Sequence, residues 1–170
     1  MSTDIELHVN GLRRRLTVDD DELLLDVLRR LGHTSVREGC GVGACGACTV
    51  LADGRSVSGC LSRAVRYEGV PLRTADGLAQ DDDVVEEFVA ADATQCGYCI
   101  PGFVLMTHEL LAENSAPSRE EIVEHLAGNI CRCGAYPEIL AAVAATARRR
   151  AAEPDDPARD RPAEPARRSA

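Results

Sequence analysis

Residues 39–48 read GCGVGACGAC, three cysteines and four glycines in ten positions. Thiols this close on a backbone almost bare of side chains could close disulfides, hold zinc, present a reactive nucleophile or wrap an iron–sulfur cluster. Cys40, Cys45 and Cys48 form the pattern C-x4-C-x2-C, and Cys60 stands further along. That spacing suits a plant-type 2Fe–2S cluster. Three thiolates must converge on a compact anionic group while amide hydrogens turn toward its sulfurs. A loop containing Gly39, Gly41, Gly43 and Gly46 can curl that tightly. Zinc sites usually pair two short knuckles, so the x4 spacing and the lone Cys60 fit zinc poorly.

A second set follows: Cys96 and Cys99 in QCGYCIPGF, then Cys131 and Cys133 in NICRCG. Spacing alone leaves this set open between zinc and 2Fe–2S. Both pairs precede a predicted helix, whose N-terminal field favours thiolate. The stretch GVGACG, Gly41 to Gly46, formally matches G-x-G-x-x-G. A dinucleotide fingerprint follows a strand and opens a helix. Here the match follows a helix, carries cysteines and lies in no βαβ unit, so it is not read as one.

The bulk composition narrows the function classes. Eight cysteines in a chain with no secretory pattern point to metal or redox chemistry and away from stable disulfides. The start, MSTDIELHVNG, lacks a basic and then apolar leader, and the Arg13–Arg15 run is followed by acids, so a cytoplasmic protein is expected. No apolar run suffices for a membrane span. A net charge of −9 argues against a nucleic-acid partner. All 19 basic residues are arginine, which reads as genome composition bias.

The elements that must position the cysteines divide the chain in two. Ile5, Leu7 and Val9 alternate along a strand that turns at Asn10–Gly11, and Leu12, Leu16 and Val18 continue a second. DDDELLLDVLRRLG predicts a helix with acids at its start and Gly32 as its stop. CTVLADGRSVSGC predicts a hairpin turning at Asp53–Gly54, and GVPLRTADGL a last strand. Helices follow: DDDVVEEFVAA, a second opening at Pro101, a third capped by Ser118 and Glu121, and a last opening at Pro137. The expected architecture is α+β, with a β-rich domain over 1–78, a helical domain over 79–150 and a disordered, proline-rich tail over 151–170.

GCGVGACGACTV, QCGYCIPGF and GNICRCGAYPEILAAV, in this order, resemble the small iron–sulfur subunit of the molybdenum hydroxylases. That family includes xanthine oxidase, aldehyde oxidoreductase and carbon monoxide dehydrogenase. The likeness runs from Ile5 to Ala147. It implies an N-terminal β-grasp ferredoxin-like domain and a C-terminal four-helix domain, each with one 2Fe–2S cluster. Cys40, Cys45, Cys48 and Cys60 would hold the first, and Cys96, Cys99, Cys131 and Cys133 the second. It further implies a large molybdopterin-binding partner subunit beside the second cluster and a medium FAD-binding subunit or other acceptor beyond the first. Gln95 and Cys133 match family positions that contact the pterin.

Where many members read CRCTGY, this chain reads CRCGAY, Cys131 to Tyr136, a form similar to aldehyde-oxidising members. No nucleophile–base constellation is present, and an electron relay needs none. A free-standing ferredoxin-like carrier is the competing function, though it would need only the first half. His108, His125 and the Asp81–Asp83 run read as packing or solvated groups. Arg132, between two ligands, reads as a charge that could tune the cluster or pair with an acid.

Overall fold

The computed structural model describes residues 1–79 and 81–153. Ile5, Leu7 and Val9 are all buried along β1 (Ser2–Val9), as a period of two requires. Asn10 and Gly11 both take positive φ and return the chain antiparallel along β2 (Leu12–Asp19). Leu16 and Val18 turn toward the core, whereas Leu12, at the strand's first position, is exposed.

The acidic run does not open the first helix. Asp19 ends β2 opposite Ser2, Asp20 accepts from Thr3 Oγ1 at 2.7 Å, and α1 runs only from Leu24 to Arg30. Sheet pairing takes these residues before the helix can. Arg29 and Arg30 close its last turn, and Gly32 leaves it at φ +95°.

β3 (Thr49–Ala52) and β4 (Arg55–Ser58) make the expected hairpin through Asp53 and Gly54, both with positive φ. β5 (Pro71–Arg73) inserts between β1, to which it is parallel, and β3, to which it is antiparallel. The sheet order is β2-β1-β5-β3-β4. One face of α1, with Leu24, Leu25, Val27 and Leu28, closes on Leu7, Val9, Val50 and Leu72 to form the first core.

From Asp83 onward the chain is helical: α2 (Asp83–Ala90), α3 (Ile100–Glu113), α4 (Arg119–His125) and α5 (Tyr136–Ala152). Pro101 sits in the first turn of α3. The capping box of α4 closes both ways, Glu121 N–H to Ser118 Oγ at 3.2 Å and Ser118 N–H to Glu121 Oε2 at 2.7 Å. Val84, Phe88, Phe103, Ile139 and Val143 form a second core. α5 begins one residue before Pro137 and extends to Ala152, inside the span expected to be tail. The rest of that tail, 154–170, lies outside the described residues. Among the described residues no helix is long and apolar enough to cross a membrane.

The two halves are joined along the open edge of the sheet. β4 is an edge strand, and its Ser56 N–H donates to Glu109 Oε1 of α3 at 2.9 Å. One turn on, Glu113 pairs with Arg55. The edge is thus covered by a helix and left with no outward N–H at Ser56 to recruit another strand.

Two of the three acids read as a solvated helix start are buried: Asp82 is 1% and Asp83 4% exposed. Asp82 caps α2, accepting from the N–H groups of Val84 and Val85, and meets His108 Nε2 at 3.1 Å. Asp83 receives Arg150 through two bonds of 2.6 and 2.8 Å, which fasten α2 to α5. The correction has a physical cause: partners distant in sequence compensate burial that a charge run would otherwise avoid. His125 lies 3.5 Å from the buried Glu109 carboxylate.

Burial opposes the ionisation of Asp83, but the hydrogen bonds and charge of Arg150 outweigh it and hold the carboxyl below its ordinary 3.8. A lowered folded pKa contributes stability that is complete above that ordinary value and is lost as pH falls through the folded one. Helix content followed by circular dichroism should therefore decline on acidification below pH 3.8. D83N should cost about 3–5 kcal/mol at neutral pH and flatten the acid limb.

Candidate metal centres

The first thiol loop, 39–48, connects α1 to β3. Cys48 immediately precedes β3 and Cys60 lies just beyond β4, so the hairpin brings both buried sulfurs to one end of the sheet. Gly59 N–H to Cys48 O at 3.1 Å closes that end. The loop then curls back until Cys40 Sγ accepts the N–H groups of Val42, at 3.4 Å, and Ala44, at 3.2 Å. At Gly39 a Cβ would lie 2.7 Å from Cys45 Sγ, so only glycine lets the loop close this far.

These backbone donors have an electrostatic effect. The amides of Val42 and Ala44 lower the Cys40 thiol to about 6, whereas burial pushes Cys48 up to about 11. Cys48 and Cys60 are buried while Cys40 and Cys45 are half-buried, so the set divides into a dry pair and a more accessible pair.

The second set is built from two helix approaches. Cys99 is the residue before α3, and Cys131 and Cys133 lie in the turn before α5. Cys131 and Cys99 are buried, and Cys96 and Cys133 exposed. The Tyr98 N–H lowers Cys96, helped by Cys133, while burial raises Cys99 to about 12. Burial also acts against the Cys131 thiolate, but amides from Ala135 to Cys133 outweigh it and lower that thiol. Here too the set has a buried pair, Cys99 and Cys131, and an exposed pair, Cys96 and Cys133.

All eight cysteines are free thiols. Among the described residues no three His, Cys, Asp or Glu side chains converge as a single ion would require. Two pairs of thiols around a cradle of backbone N–H groups suit a binuclear group, which takes two thiolates at each iron. The donor chemistry fits a 2Fe–2S cluster at each set.

The two sets do not stand apart. Ile130 N–H, next to Cys131, donates to Cys45 O at 3.0 Å, and Asn129 Nδ2 donates to Gly46 O at 3.3 Å. On the other side of the seam Tyr98 Oη donates to Glu38 O and Arg37 Nη1 to Gly97 O, each at 2.5 Å. Gln95 and Cys133 are brought together at the exposed end of the second set, Gln95 Nε2 donating to Cys133 O at 3.5 Å. Arg132 is exposed between its neighbours. The G-x-G-x-x-G match runs into β3 and opens no helix.

Residues 7–72 match the 2Fe-2S iron-sulfur cluster binding domain family, and residues 74–144 the [2Fe-2S] binding domain family. The nicotine 6-hydroxylase small subunit of Paenarthrobacter nicotinovorans is 42% identical over 143 residues, covering 82% of this chain and 87% of that protein. The nicotinate dehydrogenase small FeS subunit of Eubacterium barkeri is also 42% identical, over 82% of this chain and 91% of its own length.

The chain belongs to the small iron–sulfur subunits of the molybdenum hydroxylases.

Solved structures agree. Quinoline 2-oxidoreductase from Pseudomonas putida 86 superposes with a TM-score of 0.80 at 39% identity, over 87% of this iron–sulfur subunit and 97% of the matched chain. The aldehyde oxidoreductase from Desulfovibrio desulfuricans gives 0.84 at 41% identity, over 88% of this chain but 17% of that one. The same unit is therefore a separate subunit in some relatives and a segment of a larger oxidoreductase in others.

Three residues of the site escaped the sequence reading. Asn129 is buried and reaches across the seam to Gly46. Tyr136 Oη accepts the Cys131 N–H at 2.9 Å, fixing the turn that carries two thiols. Arg37 stands beside the first loop in sequence but reaches the second in space. Only Tyr136 had a local signal, three residues after Cys133.

Gly46 has φ +69°, and a Cβ there would lie 2.5 Å from Asn129 Cγ. G46A should therefore open the seam. Iron analysis and visible absorption should report reduced cluster content, with thermal melting lowered by several degrees, about the effect of 1–3 kcal/mol on a domain of this size.

Proposed function

We propose that this chain is the electron-transfer subunit of a molybdenum hydroxylase complex. It relays electrons from the molybdopterin site of a large partner subunit, through two 2Fe–2S clusters, to an FAD-binding subunit or another acceptor. The substrate would be an aldehyde, an N-heterocycle or a similar small molecule. Relatives named for nicotine, nicotinate, aldehyde and quinoline oxidation support that range. The CRCGAY motif inclines toward aldehydes, but the substrate pocket would lie on the other chain.

In this reading Cys40, Cys45, Cys48 and Cys60 hold one cluster in a β-grasp ferredoxin-like domain, residues 1–78. Cys96, Cys99, Cys131 and Cys133 hold the other in a four-helix domain, residues 79–150. When bound, each cluster supplies storage for one electron. The protein's own part is to hold the two sets in fixed relation. The observation that carries the proposal is the Ile130 N–H to Cys45 O bond of 3.0 Å, which joins a residue flanking a second-set thiol to a first-set thiol residue. Two cysteine sets with separate tasks would not need to share a hydrogen bond.

The surface supports a direction. Gln95, Cys96 and Cys133 are exposed together, as a pterin-facing end requires, with Gln95 and Cys133 the residues assigned to the pterin. At the first set the apolar Val42, 70% exposed, and Leu61, 61% exposed, border the loop, as a face for an acceptor subunit would. A cytoplasmic location is part of this reading.

The anaerobically purified chain should contain about four irons and about four acid-labile sulfides, in two clusters with distinct electron paramagnetic resonance signals. It should copurify with a molybdopterin-containing subunit. A zinc-loaded colourless protein would overturn the cluster assignment. An iron-replete monomer without partners in its native cell would leave a free-standing carrier instead.

A further inference from the structure

The Arg37 backbone belongs to one thiol set and its side chain to the other. Its N–H donates to Ala47 O, between Cys45 and Cys48, at 3.1 Å. Its guanidinium donates through Nη1 to Gly97 O at 2.5 Å and lies over the Tyr98 ring, with Cζ 5.2 Å from the ring centroid. Gly97 and Tyr98 are the two residues between Cys96 and Cys99. Among the described residues Arg37 forms no ion pair with a carboxylate, so its charge is not cancelled locally.

Reducing a thiolate-ligated cluster adds one electron and one unit of negative charge. A fixed cation within a few ångströms of the loop that holds it favours the reduced form, all the more where the surroundings are partly dry. Stacking on Tyr98 limits the guanidinium's freedom to swing into water. Tyr98 is itself anchored, its Oη donating to Glu38 O at 2.5 Å. The cation, the ring and the backbone segment 37–38 therefore form one closed clasp. Arg132 is closer in sequence, but it is exposed and screened by solvent.

We infer that Arg37 is an electrostatic positioning residue that raises the reduction potential of the cluster at Cys96, Cys99, Cys131 and Cys133 relative to the other. The inference rests on the two-cluster reading above. Its consequence is that the potential difference along the relay is set by a residue on the far side of the seam. If the seam loosened, the path between the sets and the potential of the second would change together.

The test is a reductive titration of the purified complex, followed by the two resonance signals, in wild type, R37Q and R37K. Gln removes the charge while keeping a polar amide, and Lys keeps the charge. R37Q should move the midpoint of one signal to lower potential and leave the other nearly in place, and R37K should stay near wild type. Unmoved midpoints in R37Q, equal shifts of both signals, or a matching shift in R37K would overturn the inference. If R37Q loads poorly, Y98L, which removes the ring beneath the guanidinium, should lower the same midpoint by less, and an unchanged value there would overturn the inference. Absence of both 2Fe–2S signals from the wild type would instead overturn the reading on which it rests.

Discussion

Gathering four thiols on neighbouring loops concentrates negative charge as they ionise, and the chain answers with backbone N–H groups before it answers with cations. Cys40 takes two amides from its own loop, Cys96 the amide of Tyr98, and Cys131 those of the turn that follows it. Amides are fixed donors that need no counter-charge of their own, and they remain in place in either redox state. This demand explains the shape of both loops. Each must curl back on its own sulfurs, which requires positive φ at Gly41, Gly43, Gly97 and Gly134. In each set one sulfur pair is buried and the other more accessible, which keeps one side of the site dry and leaves the other reachable.

The rest of the architecture holds these loops still. The sheet and α1 support the first set from below, and α3 and α5 carry the second at their N-terminal approaches. α3 serves both halves: its first turn follows Cys99, and its last turns cover the β4 edge through Glu109 and Glu113. A single rigid helix thus runs from a thiol of one set to the hairpin that carries the other. The buried Asp83–Arg150 pair and the His108–Asp82 contact lie toward the other end of the helical half and tie α2 to α5 and α3. A buried ion pair adds less to net stability than it costs to break. Its value here is in fixing how the helices cross.

Much of this was legible in the sequence because it is local. Alternation along Ile5, Leu7 and Val9, the Asn10–Gly11 and Asp53–Gly54 turns, Pro101 and the Ser118–Glu121 box each act over a few residues, and each is present. The cysteine spacing was legible for the same reason. What could not be read depends on partners far along the chain. Asp82 and Asp83 looked solvated because His108 and Arg150 are 26 and 67 residues away. The start of α1 was misplaced because Asp19 and Asp20 are claimed by Ser2 and Thr3, the first two residues of β1. Nothing near Arg37 announces that its side chain will meet residue 97.

The glycines show how one residue type can answer two demands. Gly39 serves the thiol loop itself, since a side chain there would displace Cys45 Sγ. Gly46 and Gly102 serve the seam: a Cβ on Gly102 would lie 2.8 Å from Asn129 Nδ2 and press on the Gly46 carbonyl, and one on Gly46 would meet the same asparagine. Asn129 therefore occupies a slot walled by two glycines, one from each half, and its amide spans it to reach Gly46 O. Close approach of the two backbones is what allows Ile130 N–H, next along the chain, to reach Cys45 O. In the proposed relay this crossing is where the two sets come nearest through the chain's own bonds, so small residues there serve the relay directly. The glycine richness of CGVGACGAC thus answers both the curvature of the thiol loop and the close approach of the two halves.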